Sequence, residues 1–258
     1  MQYYVVDVFT DKLFSGNYAG VCLLDEPLDA ETMQSIAAES NLPETAFLLY
    51  ENGRYNLRWF TPAVEIDLCG HATLATAFVL MNHVYPNMKR VEFDTQSGVL
   101  TVTREQDVFW MDFPRRKPVP CEMPAYLSEA LGVPVLETHK SRDLVAVVES
   151  EEAVRRVTPN LVLLRKIDDV FAVIVTAKGE RCDFASRFFA PNAGIDEDPV
   201  TGSSHSTLIP FWSERLGRTE MIAKQLSKRG GTLFCKDTGE RVLIGGTGVL
   251  YLSGEIHL

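Results

Sequence analysis

The chain has 258 residues, 46% of them hydrophobic and 23% charged, a globular composition with enough apolar surface for one large core or two smaller ones. Its 35 Asp and Glu against 25 Lys and Arg leave a net charge of -10, which repels phosphate backbones and anionic lipid and argues against a nucleic-acid partner. The five cysteines are scattered without a C-x-x-C pair, no export signal precedes the first strand, and no apolar run approaches the ~20 residues of a membrane span; a reduced, soluble, cytoplasmic protein is expected.

The first strand is expected over Tyr3 to Phe9, followed by a turn at Ser15-Gly16-Asn17 and a short run from Val21 to Leu24. Asp29 has the position of an N-cap for a helix reaching Ser40. Phe47 to Tyr50 and Tyr55 to Phe60 predict a hairpin around Asn52-Gly53, because that dipeptide favours the tight turn. Cys69-Gly70-His71 then opens a helix over about 72–81, and strands follow near 91–93, 99–104 and 108–113. Residues 114–124 hold four prolines and predict an extended linker between domains 1–113 and 125–258, with the last strand free to return to the first domain. Beyond it come a helix at 125–131, strands near 143–149, 170–176 and 182–189, a helix near 203–215, and two strands around Gly245-Gly246.

An internal repeat supports that division. Arg58-Trp59-Phe60-Thr61-Pro62 with Ile66-Asp67 recurs as Arg187-Phe188-Phe189-Ala190-Pro191 with Ile195-Asp196, and His71-Ala72-Thr73-Leu74 recurs as His205-Ser206-Thr207-Leu208. A repeat of half the chain is too long for a solenoid and implies two pseudo-symmetric domains. In each, a helix begins at a glycine, Gly70 or Gly202. If the halves face one another, the free amides and positive dipole ends of both helices address one cleft and suit a small carboxylate. Cys69 and Asp198 fall at the same place before those helices, giving each half an ionisable group. A carbon-bound proton needs such a group in reach, which suits an isomerase or an epimerase.

Glu44-Thr45-Ala46-Phe47, Asp67-Leu68-Cys69-Gly70-His71-Ala72-Thr73 and Glu197-Asp198-Pro199-Val200-Thr201-Gly202-Ser203 resemble the PhzF-like family of phenazine-biosynthesis isomerases. Phe14-Ser15-Gly16-Asn17 and the Gly245-Gly246 strand pair extend the resemblance over essentially the whole chain; Tyr18 departs from it, since the family carries proline there. The fold so implied is α+β and diaminopimelate epimerase-like, two pseudo-symmetric domains each with a curved, mostly antiparallel sheet around a central helix. The resemblance further implies Glu44 as catalytic acid/base, His71 and Asp198 as its polar partners, and Asn17, Gly70, His71, Gly202 and Ser203 as substrate-binding residues. It implies a homodimer, a small carboxylate substrate and no cofactor. A carboxyl group in that role needs partial desolvation to raise its pKa, and Leu42, Pro43, Ala46 and Phe47 are apolar neighbours consistent with it.

Plainer roles compete. Without the resemblance Glu44 is one of many glutamates, His205 fits a structural place inside its helix, Asp198 before proline is a natural turn residue, and Cys69 suits a packed thiol, with a secondary acid/base role as its alternative. Neither Gly230-Gly231 nor Gly245-Gly246-Thr247-Gly248 has a nucleotide-loop pattern, and no metal-ligand spacing is present, so no metal is expected. Three functions follow: a cofactor-independent isomerase using Glu44, an amino- or imino-acid epimerase pairing Cys69 with Asp198 or Glu44, and a non-catalytic ligand-binding protein. Nothing in these residues identifies a phenazine-related substrate.

Overall fold

The computed structural model describes every residue from Met1 to Leu258. They form two compact units, Met1–Asp112 with Gly245–Leu258, and Phe113–Ile244. The last strand, Gly248–Glu255, runs antiparallel to Gln2–Val8 within the first unit.

In the first unit the pairings alternate in direction. Gln2–Val8 lies antiparallel to Asn17–Leu24, which lies parallel to Glu44–Glu51; that strand forms the expected hairpin with Arg54–Phe60. Asn52 and Gly53 both take positive φ in the hairpin turn, the conformation an Asn-Gly pair adopts at least cost. Arg54–Phe60 then lies parallel to Arg90–Thr95, itself antiparallel to Gly98–Glu105. The helix Gly70–Val79 is buried from His71 to Val79 and packs on the first three strands, its alanines and threonines keeping the approach close. A Cβ on Gly246 would come within 2.5 Å of the Phe9 ring, so glycine lets the returning chain lie against this core.

The second unit repeats the alternation. Glu137–Lys140 is antiparallel to Leu144–Val147, which is parallel to Val173–Lys178; Phe184–Phe189 follows antiparallel, Glu220–Gln225 parallel and Gly231–Asp237 antiparallel. Duplicated sequence has thus produced duplicated topology, with Gly202–Leu216 at the place of the Gly70 helix.

The proline-rich segment 114–124 is not a free linker but part of this second unit. Val119–Pro120 pairs with His139 and Lys140, and the Cys121 N–H donates to the Thr138 carbonyl. Pro210, inside the Gly202 helix, brings no N–H to the Ser206 carbonyl one turn back, and the Arg116 N–H occupies that acceptor at 3.0 Å. Prolines in 114–124 remove donors only at their own positions; between them Arg116 docks on the helix and Cys121 on the neighbouring strand. No helix is long and apolar enough to cross a membrane.

Candidate active site

Glu44 opens its strand directly after the first helix, Ala30–Ser40, whose end is turned by Asn41 at φ 50°. Parallel pairing sets Glu44 opposite Ala19, two residues past Asn17. Asn17 itself is delivered by Gly16, which has φ +68° and whose Cβ, if present, would lie 2.0 Å from the Val8 carbonyl oxygen. That position admits only glycine. Cys69 and His71 arrive from the start of the Gly70 helix.

These four residues meet. His71 Nε2 lies 2.9 Å from Glu44 Oε2, with the two side chains 9% and 12% exposed. Cys69 Sγ is 3.6 Å from His71 Nδ1 and 3.9 Å from Nε2. The Asn17 amide nitrogen stands 3.3 Å from Nδ1, while its oxygen accepts the Tyr18 N–H at 3.0 Å. The His71–Glu44 approach has ion-pair length but not hydrogen-bond alignment, so Oε2 is a buried acceptor without an aligned donor.

Burial pushes the Cys69 thiol pKa up against the pull of His71. Burial also opposes a charge on His71, while the Cys69 sulfur and the Glu44 carboxylate favour one and together drive its pKa well above the usual histidine value. The contribution of Cys69 requires a thiolate, which its own raised pKa withholds near neutrality. Glu44 is then the one anion against the ring, and the upward pull is correspondingly weaker.

Glu44, Cys69 and His71 also place three metal-ligating atoms within 4.8 Å of one another. No linear spacing reveals this cluster, because its carboxylate comes from a strand 25 residues upstream of Cys69.

In the second unit Asp198 Oδ2 accepts the Thr201 hydroxyl at 2.5 Å. Gln225 ties the same turn down: its amide donates to the Asp198 carbonyl and to Thr201 Oγ1, and its oxygen accepts the Thr201 N–H. Ser203 Oγ accepts from Arg142, whose guanidinium is paired with Asp143 and lies over the Phe171 ring. Sequence reasoning missed Arg142, Asp143 and Gln225. Ser141-Arg142-Asp143 is the tight turn between two short strands, and Gln225 ends a strand whose inward positions are Met221, Ala223 and Gln225, so alternation was the available signal. His205, fully buried, bonds through Nδ1 to the Thr201 carbonyl at 2.8 Å and packs on Phe184, a structural place.

The two repeated helices share one omission. Asp29, Ser150 and Asn160 cap their helices with side-chain oxygens, whereas Cys69 and Thr201 make no side-chain cap bond. A cap contributes about 1 kcal/mol, and forgoing it twice at equivalent positions leaves amide donors at Gly70, His71, Gly202 and Ser203 uncommitted to a cap.

A sheet pattern repeated twice, each time with a buried helix starting at glycine, defines the diaminopimelate epimerase-like fold. A probable proline racemase from Agrobacterium radiobacter shares that fold with TM-score 0.63 over 100% of this chain and 93% of its own, at 12% identity, a likeness of fold alone. Residues 6–254 match the PhzC-PhzF family, described as phenazine biosynthesis-like protein. An uncharacterized isomerase of Pseudomonas aeruginosa is 49% identical over 253 residues, 98% of this chain and 97% of that one. A crystal structure of a PhzF-family phenazine biosynthesis protein from Enterococcus faecalis has TM-score 0.98 at 46% identity, covering 100% of this chain and 99% of its own. The chain belongs to the PhzF-like family and is an enzyme of the isomerase class.

Proposed function

We propose that the protein is a cofactor-independent isomerase that moves a proton between carbons of a small carboxylate-bearing substrate, with Glu44 removing and returning it. The observation carrying this is Glu44 Oε2: a buried carboxylate oxygen, held beside His71 at 2.9 Å yet without an aligned hydrogen-bond donor. Such an oxygen keeps a lone pair for an incoming proton, while the ring beside it steadies the charge before transfer. The uncapped amides at Gly70 and His71 supply donors for the substrate carboxylate, and Gly202, Ser203 and Asp198 are proposed as binding and polar groups of the second unit.

Epimerisation by Cys69 with Glu44 is the weaker alternative. Two bases on opposite faces of one carbon, each within hydrogen-bond reach, stand about 6 Å apart. Cys69 Sγ and the Glu44 carboxylate are within 4.8 Å of each other and share His71, and burial disfavours the thiolate.

The test is a panel of small carbon acids incubated with the protein in deuterated water and followed by NMR. Deuterium at a new carbon with a shifted double bond supports the isomerase. Deuterium at the original carbon with inverted configuration selects the epimerase, and binding with no exchange across the panel contradicts both.

A further inference from the structure

Asn17 occupies a fully buried position where its side chain meets the ring that faces Glu44. The two ends of an amide are chemically opposite, one a double donor and the other an acceptor, so its orientation decides what the ring is offered. Here the orientation is fixed independently of histidine. The Tyr18 backbone N–H can only donate, and it lies 3.0 Å from Asn17 Oδ1; the NH2 end is therefore the one 3.3 Å from His71 Nδ1. A donor facing Nδ1 requires a lone pair there, and the one proton of a neutral imidazole must then sit on Nε2, the nitrogen next to Glu44.

We propose that Asn17 is a positioning residue that locks neutral His71 as the Nε2–H tautomer, so that the ring carries its proton on the nitrogen beside the Glu44 carboxylate. The proposal rests on the proton-transfer function for its consequence but not for its chemistry. Charging His71 would place an Nδ1–H against the Asn17 NH2, two donors facing each other in a buried site. Of the titratable groups around the ring, Glu44 favours that charge, while Cys69 remains a thiol. Asn17 thus opposes the charge that Glu44 favours on the ring.

The same proton placement bears on the three metal-ligating atoms. A metal on Nε2 needs the ring proton on Nδ1, with an acceptor beyond it. Asn17 presents a donor at that place, which disfavours a metal on Nε2.

Tautomers are read directly from long-range ¹H–¹⁵N correlations in histidine-labelled protein, with His71 assigned by His71→Gln. Once the pH is raised until the ring is neutral, His71 is expected with Nε2 protonated and Nδ1 bare. His205, whose Nδ1 lies against the Thr201 carbonyl, is expected with the opposite pattern and serves as the internal control. In Asn17→Asp the facing carboxylate accepts from Nδ1, and the His71 signature should convert to Nδ1–H or to imidazolium. A neutral His71 protonated on Nδ1 in the unaltered protein overturns the proposal, as does an unchanged signature in a folded Asn17→Asp. If that variant does not fold, the unaltered protein alone decides. Absence of carbon-proton exchange beside an intact Nε2–H pattern would overturn the isomerase function and leave the tautomer lock standing.

Discussion

His71 and His205 occupy matching places in a duplicated chain, on helices that begin at Gly70 and Gly202. Their surroundings send them in opposite directions. His71 faces a carboxylate, a thiol and an amide, three groups that hold or direct a proton. His205 faces a backbone carbonyl and the Phe184 ring, its Nε2 is buried without a partner, and burial brings its pKa down to about 4. Duplication preserves where a side chain begins; chemistry is set by what neighbouring strands bring to it. One copy of the histidine thus sits among proton-directing groups, while the other is packed.

The arginines of the repeat extend the comparison to stability. Arg58 and Arg187 each make a two-pronged pair with a carboxylate, Glu65 and Glu197, but Arg187 is 11% exposed and also donates to the Val157 carbonyl at 2.7 Å. Arg58 is 36% exposed. The largest stability effect is therefore expected for Glu197→Ala, which strands a buried guanidinium and should cost about 3 kcal/mol in urea unfolding.

Acid comes next. His205 has a pKa of about 4 in the folded chain against 6.5 ordinarily, so as pH falls below 6.5 the unfolded chain takes up that proton first. Stability should fall between pH 6.5 and 4 by an amount on the order of 3 kcal/mol from this residue, then change no further on its account. Urea titrations at pH 7 and 4.5 should show a smaller drop for His205→Gln than for the unaltered protein; equal drops would move the acid sensitivity elsewhere. Gly246→Ala should destabilise by about 1–3 kcal/mol, because its Cβ overlaps the Phe9 ring, with thermal unfolding as the check. The smallest effect belongs to Glu65→Ala, below about 1 kcal/mol, since its partner is more than a third exposed to solvent. Equal costs for Glu65→Ala and Glu197→Ala would break the contrast between the arginines.

Much of the fold was legible in the residues. The repeat at Arg58 and Arg187, the Asn52-Gly53 turn and the two glycine helix starts predicted the duplicated topology. The strands Glu220–Gln225 and Gly231–Asp237 were passed over because polar residues, Gln225 and Asp237, occupy inward positions that the pattern expects to be apolar. The proline segment misled because its docking partner, the Ser206 carbonyl, depends on Pro210 about 90 residues downstream. At the site, Glu44, Cys69, His71 and Asn17 were each singled out, Glu44 and Asn17 through family resemblance alone. What the chain could not display is that all four touch. That depends on parallel register, which brings Glu44 beside Ala19, and on the positive φ of Gly16.

The central claim is that Glu44 carries the proton, and the most direct measurement compares solvent-deuterium exchange into the isomerised carbon by the unaltered protein, Glu44→Gln and Glu44→Asp. Glu44→Gln keeps the size of the side chain and removes the base, so exchange should fall by roughly 10²–10⁴-fold with ligand binding retained, and Glu44→Asp should recover part of it. Exchange by Glu44→Gln at the full rate would contradict the account and move the chemistry away from this residue.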